Sequence, residues 1–566
     1  MLSLPVVAQP PAFTPVTDAM IATPDPADWL LWRRTLDSWG YSPLEEINQT
    51  NVKDLALVWQ QPVGPGMQQG APIAHDGRLF VPSASDYIQA FNAATGEVLW
   101  QYQRPYPEGV GGGTNRTLAL WGRTIINTGS DNTVYALDAL TGEQVWQTQV
   151  FDPEVRARAT SGPIAVNGKV IAGRQCQPDA TNNGCIISAY DAATGKELWR
   201  TSTIPKPGEP GDETWGDVPI DKRYQVGTWM VPSYDLEQDL VLTGTSVTMP
   251  APKYLLDGND KQYLYHNSTL ALDANTGEIV WYYQHMVDHW DLDHVYERLL
   301  VDTVVSPNPD AVDWINPNLV PGETRKVMTG VPGKTGIVYT LDRETGEFLW
   351  ARQTIMQNVV ASIDGETGEV FINPDATFTE KGQTRFVCPS GLGGKNWQAG
   401  AYSPRTNAMY MPLFNVCMDA TANSAPGEWD RSKSYGFDFF DTMRLPDGVE
   451  NAGSAWAISA ATGETLWRQE QRSGIMSMVA TAGGLVFAGD IAGSFKAYND
   501  ETGEVLWEAW LGAPVSGYPI SFAVNGKQYI SVTTGPSLLS LGIGGLTPEV
   551  LEGQEPGGNI FVFALP

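Results

Sequence analysis

The amino-acid sequence predicts an all-β fold, an eight-bladed β-propeller, from three observations. One eleven-residue pattern returns along the chain, eight tryptophans close its copies, and a strand-like segment at the end of the chain lacks a partner nearby. Repetition of this kind decides a fold before any local feature does. The pattern is AFNAATGEVLW at 90–100, and its relatives lie at 136–146, 189–199, 271–281, 340–350, 457–467 and 497–507.

Each copy of the pattern predicts two strands joined by a tight turn. It begins with alternating small and apolar residues, as a half-buried strand does. Asp or Asn and then Thr-Gly follow, which is typical of a hairpin turn. The second strand ends in Trp, and a lone hairpin cannot bury that ring. We therefore expect each Trp to pack on the neighbouring copy, where its indole N–H finds a partner.

The number of closing tryptophans predicts the number of blades. They are Trp59 (in a degenerate copy at 51–59), Trp100, Trp146, Trp199, Trp281, Trp350, Trp467 and Trp507. Blades of about 40–50 residues leave long insertions at 200–270 and 351–456, and long loops in compact domains are usually functional. The final strand, NIFVFALP at 559–566, is expected to complete a blade begun near the N-terminus, which removes free sheet edges.

The composition excludes several classes of function. A net charge of −29 argues against partners such as nucleic acid and anionic membranes. No apolar run reaches the roughly 18 residues of a transmembrane helix. Residues 1–25 begin MLSLPVVAQPP, which we interpret as the remnant of a signal peptide, with a floppy tail as the alternative. A single propeller would then span 26–566, and the protein would be periplasmic.

Four cysteines indicate an oxidising compartment. They allow three connectivities, of which proximity in sequence favours Cys176–Cys185 with Cys388–Cys417. The chain has no Cys-x-x-Cys-His motif, no G-x-G-x-x-G after a strand and no Walker loop. Covalent haem, nicotinamide, flavin and nucleoside triphosphates are therefore not supported.

The densest polar and aromatic segment is WYYQHMVDHWDLDHVYER at 281–298, which holds three of the five histidines. It has no H-E-x-x-H arrangement, so zinc is not favoured. Asp291 and Asp293 stand two apart and would share one face of a strand. Two adjacent carboxylates suit a metal ion or a shared proton; a solvated acidic loop is the alternative.

Two further segments are candidate sites. VCPSGLGGKNWQAGAYSPRTNAMYMPLFNVCMDA at 387–420 places a glycine-rich loop between two cysteines, and VPGKTGIVYTLDRETG at 331–346 places Lys334 in a turn before an apolar strand. The simpler interpretations are a loop pinned by a disulfide and a solvated surface lysine.

Together, HWDLD, GKTGIVYTLDR and CPSGLGGKNW resemble the quinoprotein alcohol dehydrogenases, which use pyrroloquinoline quinone (PQQ). The resemblance runs from 40–59 to 517–535 and implies an eight-bladed propeller with tryptophan-docking repeats. By position, Asp291 resembles the catalytic base, and Lys334 lies where the family places a basic residue beside the quinone oxygens. The other residues that it implies for cofactor binding are Gln69, Arg116, Thr160, Trp229, Asn396 and Trp397.

The sequence also departs from that family. GVGGGTNR at 109–116 replaces an adjacent cysteine pair, and Gln69 replaces a Glu. The family's metal-binding Glu and Asn are missing, with Gln177 and Thr248 as the nearest substitutes beside Asp291 and Asp293. Tryptophans of the methanol pocket are replaced by Ile475 and a Gly-Pro-Ser turn. The pattern is closest to the sorbose and sorbosone dehydrogenase branch, which implies a bulky, secondary or sugar-type alcohol.

The resemblance implies a mechanism. Asp291 removes the alcohol proton, hydride passes to PQQ, and Lys334 stabilises the developing charge. Ca²⁺ polarises the quinone carbonyl, with a lanthanide as the alternative because of Asp293. A soluble cytochrome c or similar acceptor then takes the electrons. The alternatives are a PQQ-dependent sugar or aldehyde dehydrogenase and a non-catalytic propeller scaffold, which would need the repeats but not the Lys, Asp, Asn and Arg set.

Overall fold

Strands dominate the computed structural model, which describes residues 12–177, 185–287, 289–428, 435–437, 442–555 and 557–566. Within these residues, eight antiparallel sheets have four or five strands, and we number them as blades 1 to 8. Blade 1 consists of Ala56–Pro62, Asn559–Ala564, Lys527–Thr533 and Ile520–Val524, and blade 2 of Ile73–His75, Arg78–Ser83, Tyr87–Asn92 and Val98–Gln103. Blade 3 consists of Ala119–Trp121, Thr124–Thr128, Thr133–Asp138 and Gln144–Gln149, and blade 4 of Ile164–Val166, Lys169–Gly173, Ile186–Asp191 and Glu197–Ser202.

The other four blades follow the same order along the chain. Blade 5 consists of Ser233–Asp235, Leu240–Gly244, Ser268–Asp273 and Ile279–Gln284, and blade 6 of Leu299–Val305, Glu323–Gly330, Val338–Asp342, Phe348–Arg352 and Trp314–Ile315. Blade 7 consists of Ala401–Ser403, Ala408–Phe414, Gly453–Ser459 and Thr465–Gln471, and blade 8 of Ile475–Thr481, Leu485–Asp490, Ser494–Asn499 and Val505–Trp510. A short strand, Tyr41–Ser42, adds to blade 8 in parallel.

Smaller elements decorate the blades. The short strands are Ala157–Arg158 with Gln175–Cys176, Val360–Ile363 with Val370–Ile372, and Thr384–Val387 with Cys417–Thr421 and Met443–Arg444. The α-helices are Asp18–Ala22 and Leu538–Leu546, and the 3₁₀ helices are Val52–Asp54, Ala84–Asp86, Asp212–Trp215, Ile220–Lys222, Lys253–Leu255, Pro374–Ala376 and Pro548–Leu551. None of the described helices is both long and apolar enough to cross a membrane.

The repeated tryptophans join each blade to the next. A Cβ added to the turn glycine of each following copy would lie only 2.4 to 3.2 Å from the preceding indole ring, at Gly96, Gly142, Gly195, Gly277, Gly346, Gly463 and Gly503. Glycine is therefore required at the turn both by its positive φ and by the ring that covers it. The predicted all-β propeller fold is confirmed.

The indole N–H groups follow the prediction only in part. Trp59, for example, donates to the Ala93 carbonyl at 3.0 Å, in the turn of the next blade. By contrast, Trp146, Trp281 and Trp350 have no hydrogen-bond partner among the described residues. The expectation that every docking ring has a polar partner was wrong, because contact of the ring with the turn glycine is common to all of these junctions while the N–H bond is not.

Blade 1 closes the ring by combining both ends of the chain. Asn559–Ala564 pairs antiparallel with Ala56–Pro62, as the sequence predicted. Across the junction from blade 8, Trp507 donates to the Leu55 carbonyl at 3.1 Å.

The interpretation of 1–25 as a signal-peptide remnant concerns mainly residues 1–11, which lie outside the described residues. Val16 exchanges backbone hydrogen bonds with Gly122 of blade 3. The proposed domain boundary at residue 26 stays a prediction.

Candidate functional site

Five of the predicted site residues lie at equivalent positions of five blades. Gln69, Arg116, Thr160, Trp229 and Asn396 each precede the first strand of a blade by three to five residues, in blades 2, 3, 4, 5 and 7 respectively. Four of these five first strands are buried throughout and the fifth, Ala119–Trp121, is buried except at Trp121, whereas a Trp-bearing strand such as Val98–Gln103 has exposed positions. The first strands are therefore innermost, and the segments that lead into them gather at one end of the propeller.

Asp291, Asp293 and Lys334 form a compact carboxylate–lysine cluster. Lys334 Nζ lies 2.8 Å from Asp291 Oδ2 and 3.0 Å from Asp293 Oδ2. The Lys334 side chain is 5 % exposed, and those of Asp291 and Asp293 are 14 % and 7 % exposed. The backbone N–H of Lys334 also donates to the Asp293 carbonyl at 2.9 Å. Asp293 Oδ1 accepts from the Val247 N–H at 3.1 Å.

The cluster has unusual acid–base properties. Burial raises the pKa of Asp291 well above its ordinary value, and Asp293 adds to that shift while Lys334 opposes it. For Lys334, burial lowers the pKa, but the two carboxylates outweigh burial and the net change is upward. Asp291 is thus a carboxylate that holds a proton more readily than usual beside a lysine that stays charged. Such a pair of groups suits proton transfer.

Arg116, Trp229, Thr160 and Gln69 form a second group, which we call the cofactor cradle. The Arg116 guanidinium donates to Thr160 Oγ1 at 2.9 Å, to Gln69 Oε1 at 2.8 Å and to the Trp229 carbonyl at 3.2 Å. It also lies 4.8 Å from the Trp229 ring centroid. Burial lowers the pKa of Arg116 to about 10, so it remains a cation at neutral pH. The cradle combines a fixed positive charge with an aromatic face.

Several buried donors around the cradle have no hydrogen-bond partner among the described residues. They are Arg116 Nε, Asn115 Nδ2, Ser161 Oγ and Trp397 Nε1. Buried donors are normally satisfied, and each one left unpaired costs about 1–3 kcal/mol. A flat ligand with several acceptor oxygens would satisfy them, and Trp229 would offer it a stacking surface. The residues present therefore fit a planar, anionic cofactor such as PQQ.

Asn396 and Trp397 lie in a loop that is tied at both ends. The disulfides Cys388–Cys417 and Cys176–Cys185 are both present, as predicted. Asn396 Nδ2 donates to the Leu392 carbonyl at 2.7 Å, and its Oδ1 accepts from the Trp397 N–H at 2.8 Å. The backbone N–H of Gly394 donates to the Lys334 carbonyl at 2.7 Å, which joins this loop to the carboxylate–lysine cluster.

The four predicted metal ligands differ in the contacts that they make. Asp291 and Asp293 are adjacent, and their oxygens suit a hard cation such as Ca²⁺. The Thr248 hydroxyl instead donates to the Tyr224 carbonyl at 3.2 Å. Gln177 is partly exposed, and its backbone N–H bonds the Arg156 carbonyl at 3.0 Å. Within the described ranges, no group of three or more His, Cys, Asp or Glu residues could hold a metal.

Two of the three histidines of the 281–298 segment, His285 and His294, are packing residues. The rings of His285 and His294 stack with centroids 5.0 Å apart. His294 Nδ1 lies 2.8 Å from the Leu292 carbonyl, and His285 Nε2 lies 2.8 Å from Thr269 Oγ1. Both rings are fully buried.

Three residues near the site, Tyr435, Glu297 and Lys395, were not predicted from the sequence. The Tyr435 side chain hydrogen-bonds Asp291, and the backbone around it is anchored where Gly436 N donates to the Ala251 carbonyl at 2.8 Å. Glu297 and Lys395 form a buried ion pair at 2.7 Å. A charge inside each of the aromatic segments VYER and GGKNW was the available signal for that pair. Nothing in the sequence joined Tyr435 to Asp291.

Comparison with known proteins agrees with this geometry. The chain matches the family described as "PQQ: Glucose/ethanol/alcohol dehydrogenase, beta-propeller domain" over residues 29–369 and 450–530. It is 30% identical over 580 residues to the dehydrogenase subunit of the quinone alcohol dehydrogenase of Komagataeibacter europaeus, covering 95% of this chain and 74% of that one. It is 29% identical to quinoprotein alcohol dehydrogenase PedH of Pseudomonas putida, covering 93% and 89% of the two chains.

Solved structures give the same assignment. A europium-containing methanol dehydrogenase superposes with a TM-score of 0.84 at 26% identity, covering 97% of this chain and 100% of that one. The quinohemoprotein alcohol dehydrogenase ADH-IIG of Pseudomonas putida superposes with a TM-score of 0.83 at 27% identity, covering 99% and 83%. The chain therefore belongs to the PQQ-dependent quinoprotein alcohol dehydrogenases, a family of oxidoreductases.

Proposed function

We propose that this enzyme oxidises a bulky, secondary or sugar-type alcohol and passes the electrons to a soluble cytochrome c or a similar external acceptor. The observation that carries the proposal is the carboxylate–lysine cluster at the same end of the propeller as the cofactor cradle. A propeller scaffold would have no need of Lys334 held by two buried carboxylates, since each buried charge is expensive unless paired.

Each side chain of the cradle has a task in binding the cofactor. Arg116 holds a carboxylate of the anionic cofactor, for which the guanidinium fork is suited. Trp229 lies under the ring system, and Thr160 and Gln69 keep the guanidinium in place. Asn396 and Trp397 bound the cofactor from the disulfide-tied loop. The buried donors without partners would be satisfied by this ligand.

Asp291 is the proton acceptor. Its carboxylate Oδ takes the hydroxyl proton of the alcohol, and its raised pKa makes it a stronger base than an ordinary carboxylate. Lys334 holds the carboxylate in position from 2.8 Å and keeps positive charge beside the reacting oxygens. When bound, PQQ supplies the quinone that accepts hydride, and a Ca²⁺ held by Asp291 and Asp293 supplies a Lewis acid. Gln177 and Thr248 remain weaker candidates as ligands, and a lanthanide is the alternative ion.

The proposed substrate class is inferred from the resemblance to the sorbose and sorbosone dehydrogenase branch. Ile475 is fully buried in blade 8 and stands where methanol-oxidising relatives have Trp, which supports a wider pocket. A sugar or aldehyde dehydrogenase on the same fold is the second candidate. Both disulfides support an oxidising compartment, and so the proposal places the enzyme in the periplasm.

Reconstitution tests the proposal directly. Apoprotein is supplied with PQQ and Ca²⁺, or PQQ and La³⁺, and dye reduction is followed with methanol, secondary alcohols, sugar alcohols and aldehydes. Asp291→Asn should bind PQQ normally but lose at least about 100-fold in kcat. The exposed Asp310→Asn is the matched control. A wild-type protein that is folded but does not bind PQQ would favour the scaffold, and full turnover by Asp291→Asn would remove Asp291 as the base.

A further inference from the structure

A buried charge cluster adjoins the cofactor cradle and has no part in the proposed chemistry. It consists of Arg33, Glu297, Arg298 and Lys395, whose exposed fractions are 1, 1, 2 and 0 %. Lys395 Nζ lies 2.7 Å from Glu297 Oε2, and Glu297 Oε1 accepts from the Gly400 N–H at 2.8 Å. The cluster holds three basic side chains and one carboxylate. Full ionisation would leave two positive charges uncompensated inside the propeller.

The two arginines remain cations. Burial lowers the pKa of Arg33 to about 10 and that of Arg298 to about 9, while Glu297 opposes both shifts. Arg33 donates to the Gly400 carbonyl at 2.6 Å, but its Nε and Nη1 are buried without a partner among the described residues. Arg298 donates to the His294 carbonyl at 2.6 Å. The hydrogen bonds that the two guanidiniums make go to carbonyl and hydroxyl oxygens, and neither donates to a carboxylate among the described residues.

Such an excess of buried positive charge is unfavourable unless negative charges lie nearby. A buried charge needs a counter-charge or several hydrogen bonds. Inside a protein the field of an unanswered charge also extends further than in water, because the effective dielectric constant is lower. The excess positive charge therefore favours any anion bound nearby.

Contacts connect the cluster to the cradle through Tyr296. Lys395 Nζ lies 4.7 Å from the Tyr296 ring centroid, and the Tyr296 ring lies edge-on to Trp229 with centroids 5.6 Å apart. Tyr518 donates to the Trp397 carbonyl at 2.6 Å. Lys395 is also followed directly by Asn396 and Trp397. One aromatic ring thus separates the cluster from the floor of the cradle.

We propose that this cluster supplies counter-charge to the anionic PQQ, with Lys395 strengthening its binding and raising its reduction potential, and Glu297 acting in the opposite direction. The inference rests on the proposed function, since it requires PQQ in the cradle. Reduction adds electron density to the quinone, so a net positive field favours the reduced form. Removing a cation and removing the carboxylate must then shift both properties in opposite directions.

Near-isosteric variants test this prediction of opposite signs. PQQ binding to apoprotein is measured by quenching of tryptophan fluorescence at fixed Ca²⁺, and the midpoint potential of bound cofactor by a redox titration followed by absorbance. Lys395→Gln should bind PQQ about 10-fold more weakly and lower the potential. Glu297→Gln should bind PQQ more tightly and raise the potential. Lys326→Gln, which breaks an exposed pair with Glu237, should change neither property.

The outcomes separate the possible failures. If the buried pair only holds the loops together, both variants break the same contact and weaken binding in the same direction, which would overturn the inference; so would no change in either variant. If either variant does not fold, Arg33→Gln removes a cation without touching the Glu297–Lys395 contact and must behave as Lys395→Gln does. Wild-type protein that binds no PQQ would instead refute the proposed function.

Discussion

Replacing Gly333 with Ala tests how tightly the carboxylate–lysine cluster is positioned. Gly333 precedes Lys334, and a Cβ at this position would lie 2.1 Å from His294 Cδ2. Non-bonded carbon atoms approach to about 3.5–4.0 Å, so the two segments must separate by at least about 1.4 Å. His294 cannot yield easily, because it is fully buried, stacks on His285 and lies 2.8 Å from the Leu292 carbonyl.

The displacement moves the carboxylate–lysine cluster, because His294 follows Asp293 and Gly333 precedes Lys334. Misplacement of reacting groups by about 1 Å costs roughly 100-fold in rate, so kcat/KM in PQQ-dependent dye reduction should fall by about that factor. Overpacking should lower the free energy of unfolding by only about 1–3 kcal/mol, measured by urea denaturation. Gly545→Ala is the matched control, because nothing lies within 4 Å of its added Cβ. Activity of Gly333→Ala within about threefold of Gly545→Ala would refute the reasoning.

Two further predictions concern stability. Burial raises the pKa of Asp37 to about 6 from its ordinary 3.8, so its stabilising neutral form is present below about pH 4 and is lost as the pH rises through 6. Asp37→Asn should therefore raise the free energy of unfolding by about 3 kcal/mol at pH 8 relative to its effect at pH 4; equal effects at both pH values would contradict this. Gly346→Ala places a Cβ 2.6 Å from the Trp281 ring, whereas Gly526→Ala has a similar positive φ and open space. Urea denaturation should show Gly346→Ala about 1–3 kcal/mol less stable than Gly526→Ala, and equal losses would rule out ring contact as the reason for that glycine.

The docking of the blades could be predicted from sequence because its parts are local and repeated. A turn glycine and a closing Trp appear in each copy, so the contact of one copy with the next follows from the pattern. The closure of blade 1 followed from the same logic, since one strand at each end lacked a partner. Hydrogen bonding of Trp146, Trp281 and Trp350 was not predictable, because it depends on the exact placement of each turn.

The candidate site was predictable where residues in one segment share a task. Asp291 and Asp293 stand two apart, and the structure places both on Lys334. The Glu297–Lys395 pair joins positions 98 residues apart in sequence, and no local pattern connects two single charges over such a distance. Thr248 could be identified from its position in the sequence, but the partner of its hydroxyl could not. That hydroxyl donates to the Tyr224 carbonyl, and no sequence pattern indicates this bond.

The mixed origin of blade 1 has a consequence for how the enzyme is made. Its sheet cannot form until residues 559–564 have been synthesised, so the ring stays open until that segment is available. A chain that ends early would expose the unpaired edges of Ala56–Pro62 and Lys527–Thr533, and exposed edges invite association with other chains. Truncated copies should therefore aggregate or be degraded rather than accumulate as partly active enzyme.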